Sequence, residues 1–178
     1  MSAGVIYTSR AEVVIHRFAP TVLVLATIVA LFLQGFLPVA FGGRLHFLGI
    51  FDLPLLVTVF FALARRNPVT GTITGCVIGL MQDALSAGYI GLFGMAKTVV
   101  GYTASSLAGK IDVENPGSRL LLVSGFYLLQ RVVYLVVERG LVRDQVSVEW
   151  LHSLGAAFAN GLLAIAVFSL LDRFKRRS

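Results

Sequence analysis

The sequence predicts an all-α membrane protein, a six-transmembrane-helix bundle with both termini cytoplasmic. Three observations carry that expectation. Of 178 residues, 57% are hydrophobic and only 13% are charged, outside the range usual for a soluble domain. The apolar residues gather into six runs, most close to the length of about 20 residues that a helix needs to cross a bilayer. The basic residues stand at the ends of these runs and favour alternate ends, as the positive-inside rule requires. The connections are too short to build a second core, so residues 1–178 read as a single integral membrane domain. Within it, 1–17 is a cytoplasmic N-terminal segment, 18–171 the bundle and 172–178 a basic cytoplasmic tail.

The six spans are Phe18 to Phe41, Phe47 to Ala64, Val69 to Leu85, Gly88 to Gly109, Ser118 to Val137 and Leu151 to Leu171. Gly42-Gly43, Arg65-Arg66-Asn67-Pro68, Ser86-Ala87-Gly88 and Asn115-Pro116-Gly117 separate them, with Ser118 as a cap for the fifth. The first is long and lacks a small-x-small cleavage site, so it reads as a retained span and not as a signal peptide. Ahead of it, Val5 to Arg17 suits either a short interfacial helix or a disordered tail. The second and third spans are the shortest, which leaves tilted hairpins open as an alternative to full crossings. Glu138 to Trp150 is the longest loop; Val146, Val148 and Trp150 alternate with polar residues, and Trp150 reads as an interfacial anchor.

Orientation follows from the cations. Arg10, Arg17, Arg65, Arg66, Lys110, Arg119, Arg173, Lys175, Arg176 and Arg177 fall on one side; Arg44, Arg139 and Arg143 fall on the other. The richer side is cytoplasmic. There Arg65, Arg66, Arg173, Lys175, Arg176 and Arg177 form a basic patch facing anionic lipid. The net charge of +6 is accounted for by these span ends, so nucleic acid is not an expected partner. Cys76 is the single cysteine and sits in an apolar run, which excludes an intrachain disulfide. His16, His46 and His152 lie at span ends, and neither an H-E-x-x-H sequence nor a phosphate-binding loop occurs. The expectation is no catalytic residues, no metal, no cofactor and no enzyme.

Two patterns inside the spans call for explanation. Gly71, Gly75 and Gly79 recur every four residues and share a helix face. Small residues let backbones approach where lipid supplies no hydrophobic drive, either inside the bundle or against a partner. Gly88, Gly91, Gly94 and Gly101 continue the theme, as do Ala26 with Ala30, and Ala157, Gly161 and Ala164 beside Asn160. The second pattern is ionic: Asp52, Asp83, Lys97 and Arg131 all lie within spans, where charge is costly and faces a partner or a polar cavity. Counted along the spans, all four fall near the midplane or in the outer half, with Gln82, Gln130, Tyr127 and Tyr134 around them. Tyr127, Arg131, Tyr134 and Glu138 share one face of the fifth helix. Two readings stay open: ion pairs that fix helix register, or a ligand cavity opening outward.

The order of residues from Phe51 to Gly109 is distinctive. Asp52-Leu53-Pro54 leads through an apolar run to Arg65-Arg66-Asn67-Pro68; the glycine series then enters Gly79-Leu80-Met81-Gln82-Asp83-Ala84-Leu85, followed by Gly91-Leu92-Phe93-Gly94 and Gly101-Tyr102. This order resembles the bacterial rod shape-determining protein MreD family. The resemblance implies a non-enzymatic membrane scaffold subunit of the cell-elongation (rod) complex in the bacterial inner membrane. It further implies binding to the single-span protein MreC, and through it association with MreB filaments, the RodA glycosyltransferase and a class B penicillin-binding protein in lateral peptidoglycan synthesis. That family is similar in fold to the S components of energy-coupling-factor transporters. The alternative it implies is a small-molecule-binding or transporter subunit with an outward-facing polar cavity, docking its partner through Ala26 and Ala30.

Overall fold

The computed structural model describes residues 20–40, 49–86, 89–111, 115–142 and 150–173. These form six α-helices: α1 (Pro20–Ala40), α2 (Leu53–Arg65), α3 (Pro68–Leu85), α4 (Leu92–Leu107), α5 (Pro116–Val137) and α6 (Trp150–Asp172). A π-helical turn, Glu138–Val142, continues α5. There is no strand among the described residues.

The helix starts share one chemical device. Asp52, Asn67 and Asn115 are the N-caps of α2, α3 and α5, and each is followed within two residues by a proline in the first turn. An Asx oxygen accepts the otherwise unpaired N–H groups there, and proline sits where no intrahelical donor is needed. The Leu55 N–H donates to Asp52 Oδ1 at 2.9 Å, and the Val69 and Thr70 N–H groups donate to Asn67 Oδ1 at 3.0 and 3.2 Å. Asn115 takes the capping role that the sequence assigned to Ser118, because Pro116 and Gly117 are already helical. Arg66 ends α2 in the left-handed conformation, φ 50°, so a two-residue turn joins α2 to α3.

Two predicted boundaries need correction. The second span was expected from Phe47, yet its helix begins only after Asp52; residues 41–48 lie outside the described set. Asp52 is therefore a helix cap and not an interior residue. The loop expected from Glu138 begins as helix, because α5 runs on through its π turn to Val142. The strand-like alternation at Val146 and Val148, the segment from Val5 to Arg17, and Lys175, Arg176 and Arg177 lie outside the described residues.

The shortest helix is the central one. From Pro54 to Leu63 every residue of α2 is buried, and it touches each of the other five helices. A helix that is apolar on all sides suits a position surrounded by other helices. At about 1.5 Å per residue it is about 20 Å long, less than the hydrocarbon thickness of about 30 Å. By length and apolar composition, Pro116–Gly140 and Trp150–Asp172 suffice to cross a membrane alone. Their outer faces, with Leu121, Val136, Leu151 and Phe158, are exposed and apolar.

Helices α3 and α4 pack along the glycine stripe. A Cβ placed on Gly71, Gly75 or Gly79 would collide with the α4 backbone, at Gly101, Lys97 and Phe93 respectively. The face is thus filled by α4, and the same collision from the other side explains Gly101. Gly161 plays this part between α6 and α5, where a Cβ would meet Ser124 and the Leu120 carbonyl.

Candidate functional site

Asp52, Asp83, Lys97 and Arg131, with Gln34, Gln82, Gln130 and Asn160, gather at the end of the bundle where α2 and α4 begin. Lys97, five residues into α4, has no solvent exposure. Its ammonium donates to Asp52 Oδ2 at 2.8 Å, to Asp52 Oδ1 at 3.1 Å and to Gln130 Oε1 at 2.8 Å. Those three bonds use all three of its donors. The Phe93 ring centroid, one turn back on α4, lies 5.0 Å from the same nitrogen.

Asp52 is equally saturated. Oδ1 takes Lys97 and the Leu55 N–H; Oδ2 takes Lys97 and, at 2.6 Å, Gln130 Nε2. Its own N–H donates to Asn160 Oδ1 at 2.8 Å, and Asn160 Nδ2 donates to the Ile50 carbonyl at 2.8 Å. Gln34 of α1 closes the group: Nε2 donates to the Phe51 carbonyl at 2.9 Å, and Oε1 accepts the Leu53 N–H at 3.1 Å. One network therefore joins α1, α2, α4, α5 and α6. A buried pair of this kind offsets its desolvation cost only when the remaining donors and acceptors are also met, and here they are.

The four ionisable groups split into three arrangements. Asp83 does not pair with Lys97. Its carboxylate accepts the N–H groups of Gly91 (2.9 Å), Phe93 (3.0 Å) and Gly94 (2.9 Å), capping α4 from the end of α3. This position favours a carboxylate, because the first N–H groups of a helix have no intrahelical acceptor and the helix dipole is positive there. Gly91, at φ 107°, supplies the turn but has no side chain to cap with. Arg131 is half-buried, stands 5.8 Å from the Tyr134 ring centroid and has no carboxylate in ion-pair range among the described residues.

A cavity of about 150 Å³ opens beside the saturated network, lined by Asp52, Gln82, Tyr127, Gln130, Arg131 and Tyr134 among others. Lys97 and Asp83 do not line it. Gln82 is buried, and its Oε1 has no hydrogen-bond partner among the described residues. No group of three or more His, Cys, Asp or Glu side chains suited to a metal occurs among the described residues.

The remaining predicted residues lie elsewhere. Ala26 and Ala30 line a nearly wholly apolar groove of about 290 Å³ between α1, α2 and α6. Arg65 is half-buried, Arg66 and Arg173 are exposed, all at the opposite end, where Arg119 pairs with Asp172 at 2.7 Å. Sequence reasoning overlooked Gln34, although one amide in an otherwise apolar span is itself a signal. For Asn160 the sequence indicated the capacity to hydrogen-bond across helices; the structure supplies the partners, the Asp52 N–H and the Ile50 carbonyl.

The sequence pattern of the family described as rod shape-determining protein MreD matches residues 15–174. No curated protein and no solved structure matches the chain.

Proposed function

Starting from the fact that the chain belongs to the MreD family of rod shape-determining proteins, bacterial membrane proteins that set cell shape, we propose that it is a non-enzymatic scaffold of the rod complex. In this reading it crosses the inner membrane six times with both ends in the cytoplasm, binds MreC, and through it helps organise MreB, RodA and a class B penicillin-binding protein for lateral peptidoglycan synthesis. The observation that carries the reading is how the bundle uses its polar groups. Asp52, Lys97, Gln130 and Asn160 lock α2, α4, α5 and α6 into one block, and such a block is a rigid platform for partners.

The groove between α1 and α6 supports a site for the single membrane helix of MreC. Leu25, Ala26 and Val29 form one wall, Val167 and Leu170 the other. Small residues at the floor allow the close backbone approach by which helices associate in lipid. At the opposite end Arg65, Arg66 and Arg173, with the tail that follows, meet anionic headgroups or MreB.

Capture of MreC from membranes tests this. The double variant Ala26→Phe, Val29→Trp fills the groove without entering the polar network and is expected to lose MreC while keeping its melting temperature. Undiminished capture by that folded variant would refute the groove as the MreC site.

A further inference from the structure

We propose that the cavity beside Asp52 is a binding site for a compact carboxylate of net charge −1 that also carries a neutral hydrogen-bond donor, the class of a small 2-hydroxy acid. The proposal gives the small-molecule alternative a ligand and does not depend on the scaffold reading.

The network leaves several polar groups unused at the cavity wall. Asp52 and Gln130 face the cavity, but both carboxylate oxygens of Asp52 and the amide of Gln130 are already engaged with Lys97 and with each other. They present a wall with its charge cancelled. Besides the hydroxyls of Tyr127 and Tyr134, the open polar liners include the Arg131 guanidinium, with no carboxylate partner among the described residues, and Gln82 Oε1, which accepts no hydrogen bond there. Gln82 is 7% exposed. A charged group within a membrane-embedded bundle and a buried orphan acceptor are both costly, and one ligand relieves both. It needs an anionic oxygen for Arg131, which guanidinium binds through paired N–H donors, and an O–H or N–H for Gln82.

Charge and size narrow the class. No lining carboxylate is free to meet an ammonium, so a zwitterionic amino acid would bury its cation without a counter-ion. The volume of about 150 Å³ equals that of a cavity known to hold a molecule of about six heavy atoms. Lactate has the charge, the donor and the size. The cation count along the chain places this end on the outer side, so the ligand would enter from there.

The test is thermal unfolding of the full chain in lipid nanodiscs with lactate, acetate, lactamide and alanine. Lactate is expected to raise the melting temperature by about 5 °C at a hundredfold excess over its Kd. Acetate should bind about tenfold more weakly for want of the donor; lactamide, without charge, and alanine, with its ammonium, should give no shift. Arg131→Gln is expected to abolish the lactate shift. Gln82→Leu should raise the melting temperature of the unliganded protein while weakening lactate about tenfold. A lactate shift matched by lactamide or alanine, one retained in Arg131→Gln, or none at millimolar lactate would overturn the proposal. The wild-type series decides the matter even if a variant fails to fold. Loss of the shift with MreC capture intact would separate this site from the scaffold role.

Discussion

The two sides of α4 hold neighbouring helices by opposite means. Toward α3, contact is largely backbone on backbone: Gly71, Gly75 and Gly79 present no side chain of their own, so that Gly101, the Lys97 carbonyl and Phe93 lie against them. Toward α2 and α5, contact is ionic: the Lys97 ammonium reaches Asp52 and Gln130. The glycine seam draws on many weak dispersion contacts and tolerates no added atom. The ionic side is a few strong bonds whose strength requires every donor and acceptor to be met. Lys97 belongs to both, since its carbonyl faces Gly75 while its ammonium faces Asp52. By holding the α4 backbone at Lys97, the seam is expected to set the distance at which the ion pair closes.

Removing one ion from the pair should have the largest effect. Lys97→Met leaves Asp52 charged and buried, and is expected to cost about 3–5 kcal/mol, read as a collapse of the melting temperature in detergent. Adding Asp52→Asn, which keeps an N-cap side chain but no charge, should recover most of that loss. A double variant no better than Lys97→Met would show that α2 is placed by something other than the pair.

Next comes the seam. Gly75→Ala drives a Cβ into the Lys97 carbonyl and should cost about 1–3 kcal/mol, again by thermal unfolding. If the two sides are coupled as described, Gly75→Ala will be less damaging in the Lys97→Met, Asp52→Asn background, where no ion pair remains to be misaligned. Strict additivity would break the claim that the seam sets the ionic distance.

A smaller effect is expected at Asp83. Asp83→Ala removes the acceptor from three N–H groups at the start of α4 and should cost about 0.5–2 kcal/mol, visible as faster hydrogen exchange at Gly91, Phe93 and Gly94. Protection there as strong as in the wild type would mean that α4 needs no cap. Leu121→Ala, on the exposed apolar face of α5, should shift stability by less than about 0.5 kcal/mol and serves as the baseline.

Much of the architecture could be read from residue order. Apolar run lengths gave α1, α3, α5 and α6 to within a few residues, because span length follows from local hydrophobicity. The four-residue glycine spacing announced a close helix contact, but α4 as its occupant needed coordinates. Asp52 was misplaced because an apolar run looks the same whether it is helical throughout or only after a cap. The ionic residues themselves were identifiable, since charge within an apolar run has no neutral explanation.

What the sequence determined by itself was the class of the protein, its family and the set of side chains that had to be accommodated: properties of composition and short-range spacing. Only the tertiary structure decided who meets whom. Asp52 finds Lys97 across 45 residues, Asp83 finds backbone N–H groups and not a cation, and Arg131 is left facing a cavity. Helix rotation and separation fix such pairings, and both emerge from the packing of whole faces, which no local spacing encodes.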